Sequence, residues 1–213
     1  MKRFLRGDTI IEVTLALAVF SGVIIMALAL MNRGVSTAQY TLEMTLAREA
    51  MNTQAESLRY IHSLALADDS DAGPWQQVIG RQVDRPSPLA GLEGCSPPEG
   101  RAFVLNPRNP EGGIITLNPA GNTRLGQAEI YPRILFSEDT NAIDDLDGSR
   151  SPVLVEGLWI EAVRTSDGRA YDFHIRACWN APGRTGPATA TRATLGTIVR
   201  LYNPEHALGS GSN

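Results

Sequence analysis

From Val13 to Asn32 the chain runs 20 residues without a charge. The core of that run, VTLALAVFSGVIIMALALM, is apolar on every helical face. At ~1.5 Å per residue, a helix of this length crosses a bilayer. From Arg33 to about Leu66 the pattern turns amphipathic. Val35, Ala38, Leu42, Leu46, Ala50, Leu58, Ile61 and Ala65 follow three- and four-residue steps, a helical stripe. Glu43, Arg48, Glu49, Glu56 and Arg59 fall mostly off it. No proline interrupts residues 8–73. The pattern predicts one helix from about Thr9 to Leu66, a rod of roughly 87 Å at ~1.5 Å per residue. Its first half would be lipid-soluble and its second half would need cover. Ser21-Gly22 and Gly34 are the places for a bend. Two helices with a break at Asn32-Arg33-Gly34 are the alternative. A heptad coiled coil fits less well, because the stripe is short and rich in alanine.

Asp68 to Pro74 stops the helix, and a short helix is predicted around Trp75 to Gly80. Prolines at 86, 88, 97 and 98 mark a variable segment to Gly100. Beyond it the period switches to two. Arg101–Leu105, Gly113–Leu117 and Glu129–Phe136 read as short strands, the last demoted to an edge or bulged strand by Pro132. Val153–Arg164 and Arg169–Trp179 read as strands flanking Thr165-Ser166-Asp167-Gly168, a hairpin signal. Leu195–Tyr202 reads as a last strand, and residues 203–213 as a mobile polar tail. A long helix followed by an antiparallel sheet with one apolar face predicts an α+β layer architecture.

Lys2, Arg3 and Arg6 precede the apolar run, which places the head of the chain in the cytoplasm and exports the rest. A secretory signal peptide would carry a shorter apolar region and a small-residue cleavage site; an uncleaved signal anchor fits the length better. Neither explains Glu12. A carboxylate at that depth costs a few kcal/mol unless it is paired. Arg6-Gly7-Asp8 also spells an adhesive tripeptide, but on the cytoplasmic side it has no such use.

The basic leader, Gly7, Glu12 and the long apolar run stand in one register, and together they resemble the type IV prepilin signature. That signature is a short basic leader ending in Gly, with Glu at the fifth mature position. The resemblance covers about the first 32 residues. It implies cleavage between Gly7 and Asp8 by a membrane prepilin peptidase, which commonly methylates the new amine. The family's first mature residue is usually Phe or another apolar residue. Here it is Asp8, a departure that bears on methylation, though a carboxylate suits a helix start. The fold implied is pilin-like, a long N-terminal helix packed on an antiparallel sheet. The chain then divides into a leader (1–7), a transmembrane or filament-core helix (8–32), its amphipathic half (33–66), a globular head (67–202) and a tail (203–213). Glu12 becomes an assembly residue. The partners implied are the peptidase, other pilin subunits, the pilus inner-membrane assembly machinery and, before assembly, the membrane. The location implied is a single-pass cytoplasmic membrane precursor, then an extracellular filament or periplasmic pseudopilus. With 206 residues after the leader, a minor pilin of a surface filament is the first reading and a type II secretion pseudopilin the second. A signal-anchored binding or adhesive module that never polymerises is the alternative of another class.

Composition adds constraints. The formal net charge is −4, and loss of Lys2, Arg3 and Arg6 takes it to −7, which argues against a general polyanion binder. Arginines at 164, 169, 176 and 200 alternate along the last strands. They could form a stripe for nucleic acid, as in competence pilins, or balance Glu156, Glu161 and Asp172. Charge balance is favoured, because no aromatic cluster accompanies the stripe. Two cysteines, Cys95 and Cys178, exclude a four-cysteine zinc site. An exported domain favours a disulfide between them, and pilins often carry one around the carboxy-terminal sheet; two buried free thiols are the alternative. Asp139, Asp144, Asp145 and Asp147 lie in an acidic loop before Gly148. Such loops can hold calcium, but EF-hand spacing fails, and a solvated loop is the simpler reading. His174 is assigned to an exposed polar strand face with Asp172 and Arg176. His62 and His206 have no partners in sequence. No nucleophile elbow, zinc-protease motif or phosphate loop occurs, so neither an enzyme nor a cofactor is expected.

Overall fold

The computed structural model describes residues 8–67, 73–87, 101–108, 114–116, 124–126, 128, 130–136, 152–181 and 192–204. The architecture is α+β, with a long N-terminal helix and a largely antiparallel sheet. Helix α1 runs Asp8–Ala67. Helical structure continues through Ser21-Gly22 and through Asn32-Arg33-Gly34, so the alternative of two helices is not adopted. Among the described residues a Cβ at Gly22 or Gly34 would meet nothing within 4 Å, so neither glycine serves a close contact there. The chain divides into two compact units, Met1–Leu42 and Glu43–Asn213.

In the second unit, helix α2 (Gly73–Ile79) follows α1. Strands β1 (Phe103–Leu105), β2 (Ile114–Thr116), β6 (Leu158–Arg164), β7 (Ala170–Asn180) and β8 (Arg192–Tyr202) form a five-stranded sheet in the order β2-β1-β6-β7-β8. Its described pairings are all antiparallel. A three-stranded sheet, β3-β5-β4, joins β3 (Arg124–Gly126), β4 (Arg133–Phe136) and β5 (Pro152–Glu156), with β3 parallel to β5. Strand β4 sits at its edge with a register irregularity at Leu135/Phe136, as Pro132 predicts.

The predicted single strand over 153–164 is two strands. Gly157 interrupts it at φ 59°, and β5 and β6 enter different sheets. A Cβ at Gly157 would lie 2.1 Å from the Cys178 carbonyl oxygen and 2.7 Å from the Ala128 Cβ. Only glycine fits that backbone and that space. The 165–168 hairpin forms as its sequence predicts. Gly168 adopts φ 69°, its N–H donates to the Thr165 carbonyl at 2.9 Å, and Arg164 pairs with Tyr171.

The core of this unit lies between α1 and one face of the five-stranded sheet. Ala47, Met51, Leu58, Ile61 and Ala65 from α1 are buried, as are Ile160 and Ala162 of β6 and Phe173, Ile175 and Ala177 of β7. Trp75 of α2 makes edge contacts with His62, Tyr171 and Phe173 at centroid distances of 4.9, 6.0 and 5.8 Å. The buried stripe of α1 matches the predicted one at Leu58, Ile61 and Ala65 and departs from it nearer the start. Val35 and Leu42 are exposed, at 49% and 59%, while Glu43, Gln54 and Ser57 are buried. Over residues 43–51 the face is rotated by about one residue, to Glu43, Ala47 and Met51 in place of Leu42, Leu46 and Ala50, because the Glu43 carboxylate has a partner in the sheet.

The opposite face of the sheet is covered as well. Trp159 and Glu161 are buried, and the Ser87 hydroxyl donates to the Glu161 carboxylate at 2.6 Å. This corrects the assignment of His174 and Arg176 to an exposed face: His174 is half-buried and Arg176 is 6% exposed. The predicted tail also starts later than Asn203. Asn203 and Pro204 are buried, and the Asn203 N–H donates to the Arg169 carbonyl at 2.8 Å. The rest of that segment lies outside the described residues.

Candidate functional site

The apolar half of α1 carries the strongest chemistry in the chain. From Ile10 to Met31 its large side chains are exposed; Ile24, the least so, keeps 43% of its surface and Met26 keeps 71%. Such a surface on a single chain calls for lipid or protein cover. This is the one helix, among the described residues, that is long and apolar enough to cross a membrane, and its most apolar window is 0% buried. The hydroxyls in it need no water. Thr14 Oγ1 donates to the Ile11 carbonyl at 3.0 Å and Ser21 Oγ to the Leu17 carbonyl at 2.8 Å, which suits an apolar medium.

Glu12 is exposed in this segment, just before the uncharged run. No Lys or Arg lies between Asp8 and Asn32, so a side-chain cation for this carboxylate must come from outside residues 8–32. Gly7 lies outside the described residues, and Asp8 is described by its backbone alone.

No model of a known protein family, no characterised protein and no solved structure matches this chain.

Of the other predicted site residues, Cys178 is fully buried on β7 and disulfide-bonded. Cys95, the chain's other cysteine, lies outside the described residues, as does the acidic loop with Asp139, Asp144, Asp145 and Asp147. Among the described residues no cluster of His, Cys, Asp and Glu could hold a metal ion.

Sequence reasoning missed a set of buried polar groups in the second unit. Trp179 Nε1 donates to Glu43 Oε2 at 3.0 Å. Burial pushes the Glu43 carboxyl above its usual range, and the indole N–H opposes that only in part. The Gln54 carboxamide donates to the Leu105 carbonyl at 2.9 Å and accepts from the Leu105 N–H at 2.8 Å. β1 pairs with β6 at Phe103 alone, and Gln54 satisfies both backbone groups of Leu105. Arg176 Nε lies 2.8 Å from Glu161 Oε2, with side chains 7% and 1% exposed. Ser87 donates to the same carboxylate, from its hydroxyl at 2.6 Å and from its N–H at 3.1 Å. That ties the segment after α2 onto the sheet.

The arginines at 176 and 200 are paired with carboxylates, as charge balance requires. Arg200 makes a bidentate contact to Asp172 at 2.6 and 2.7 Å and holds the Asp172 carboxyl below its usual range. Glu156 is engaged by Arg133 at 2.8 Å. Burial, then the Arg176 charge, lowers the pKa of His174; Asp172 and Glu161 oppose them. His62, which has no partner in sequence, places Nε2 2.7 Å from the Tyr202 carbonyl. An i, i+4 signal could not have found these contacts, since they join residues 15 to 140 positions apart.

Proposed function

We propose that this chain is a type IV pilin-like structural subunit, a minor pilin, made as a prepilin and cut after Gly7. The observation that carries the reading is the half-helix that no part of the described chain covers, with Glu12 at its start in register with Gly7. Before assembly the lipid bilayer covers the apolar half as a single-pass anchor. In a filament the same half of neighbouring subunits takes its place, with the heads outside.

Glu12 acquires a role in that setting. Cleavage creates a positive amine on Asp8, and the carboxylate has no other cation within its apolar segment. The chain's own amine is one turn away, while a neighbour's amine can approach as helices slide into register. Desolvation strengthens the pair, and a buried carboxylate without a partner costs several kcal/mol. The pair thus sets axial register. The Asp8 carboxylate competes for the same amine and weakens the contact.

Protein extracted from membranes should begin at Asp8 by N-terminal sequencing, and Gly7→Val should leave an uncut precursor. Glu12→Ala should insert normally yet be depleted from sheared filaments. Retention of residues 1–7 in mature material would replace this reading with the anchored module. Equal incorporation of wild type and Glu12→Ala would remove Glu12 from assembly.

A further inference from the structure

Strand β7 begins where the 165–168 hairpin ends, and β8 runs beside it. Ala170 pairs with Tyr202 and Asp172 with Arg200. Alternation puts Asp172, Arg200 and Tyr202 on one face of the sheet, the face away from the buried Tyr171 and Phe173. Between these side chains and the hairpin lies a cleft of about 380 Å³, within the range of ligand pockets at about 300–1,000 Å³. Ala170 leaves it open, because opposite the large Tyr202 the strand carries only a methyl. All the residues that line the cleft are described.

The fold holds the polar groups of the cleft in place before any ligand arrives, which lowers the cost of binding. Arg200 Nε and Nη2 donate to the two Asp172 oxygens at 2.6 and 2.7 Å. The Thr165 hydroxyl and the Arg169 N–H donate to Asp167 Oδ1 at 2.6 and 3.2 Å. Those contacts, the hydroxyl first, keep the Asp167 carboxyl below its usual range. Asp172 above all, then the Tyr202 phenol and the Asp167 charge, raise the pKa of Arg200, so all three surround one guanidinium. Among the described residues, Asp167 Oδ2, Arg200 Nη1 and the Ser166 and Tyr202 hydroxyls are left without partners. Tyr202 keeps 66% of its surface exposed.

These free groups select the ligand. An ammonium ion satisfies Asp167 but offers Arg200 no acceptor and meets its like charge. A phosphate or carboxylate satisfies Arg200 but faces Asp167 and Asp172, two negative charges against one positive. A neutral ligand that both donates and accepts satisfies both sides. Two neighbouring hydroxyls do so, one donating to Asp167 Oδ2 and the other accepting from Arg200 Nη1. The exposed ring adds a flat apolar surface with a polar tip, which suits the C–H face of a saccharide ring and leaves a lone amide group too small. We infer that this cleft is a carbohydrate site, which takes one sugar ring against Tyr202 with adjacent hydroxyls between Asp167 and Arg200. The inference is independent of the filament reading.

The test uses the full chain in micelles of a zwitterionic detergent, since a glycoside detergent would compete. Methyl glycosides of glucose, galactose and mannose are titrated to about 100 mM, with methylammonium and inorganic phosphate as ionic probes, and backbone amide shifts are followed. At least one glycoside should move the Ser166, Asp167, Arg200 and Tyr202 amides with a Kd of about 1–10 mM, and neither ion should. Tyr202→Phe keeps the ring and should bind within about threefold of wild type. Tyr202→Ala removes the ring, and Asp167→Asn keeps Oδ1 for the turn while exchanging the free acceptor for a donor. Each should weaken binding about tenfold in protein whose other amides are unmoved. No shift of the four amides with any of the glycosides would overturn the inference, as would equal binding by wild type and Tyr202→Ala. Larger shifts with methylammonium or phosphate than with the glycosides would make the cleft an ion site and overturn it too.

Discussion

At the scale of single residues, two carboxylates respond to pH in opposite senses. Glu43 is held by one indole N–H inside the second unit, and its pKa is raised, chiefly by burial. The folded state therefore binds its proton more readily than the unfolded chain does. The cost of burying the charge is present above the folded pKa and disappears as pH falls below the unfolded value. Glu43→Gln keeps an acceptor for the indole and removes the charge. It should raise stability at pH 7 and converge with wild type below about pH 4, as urea titrations at several pH values would read. Asp172 runs the other way. Its pKa is lowered by Arg200, so its contribution is present above the unfolded value and is lost as pH falls through the folded one. A Glu43→Gln variant less stable than wild type at pH 7 would show that the charge on the indole contact outweighs its desolvation.

At the scale of elements, the turn from β5 to β6 decides the topology. Gly157 lets one run of alternating apolar residues leave one sheet and enter another, and its carbonyl accepts from the Cys178 N–H at 2.8 Å. Gly157→Ala adds a Cβ that clashes with backbone and requires a backbone conformation that alanine disfavours. The neighbour it meets is a carbonyl in the middle of a strand, which cannot swing aside. Unfolding free energy should fall by about 3 kcal/mol or more, with the Cys178 amide losing exchange protection. A loss under ~1 kcal/mol would mean that the turn re-forms with another backbone. The apolar run was legible from alternation. The break was not, because the penalty for any residue but glycine comes from Ala128 and Cys178, distant in sequence. Leu58, Ile61 and Ala65 of α1 are buried as their spacing predicts, but the earlier part of the face was misplaced by the same kind of ignorance: Glu43 and Gln54 count as polar until Trp179 and Leu105 are beside them.

At the scale of the whole molecule, the disulfide at Cys178 ties β7 covalently to another part of the chain. If Cys95 is its partner, the bond closes 84 residues and contributes roughly 4–5 kcal/mol by restricting the unfolded chain. Alkylation of unreduced protein should label neither cysteine, and peptide mapping should recover 95 joined to 178. Reduction should lower the thermal midpoint of the second unit by several degrees or more and leave the helix content of Asp8–Leu42 unchanged. Quantitative labelling of native protein would leave the sheet to hold itself by packing alone.

The sequence by itself determined the features that depend on neighbours along the chain. Twenty uncharged residues make an apolar helix whatever surrounds them. Asp-Gly between two alternating runs makes a hairpin, because the turn is set by local backbone angles. Pro132 keeps its strand at an edge, because it has no N–H to give. The order leader, Gly7, Glu12 and apolar run is likewise a local reading, and it carries the proposed function. Tertiary structure decided which helix face is inside, how the strands pair across two sheets, and which charges are buried. Those outcomes turn on desolvation. A buried Glu161 is tolerable only with Arg176 and Ser87 against it, and the chain brings them together from positions 15 and 74 residues away. Periodicity ranks residues by their own affinity for water, but the cost of burying a polar group is set by the partner it meets.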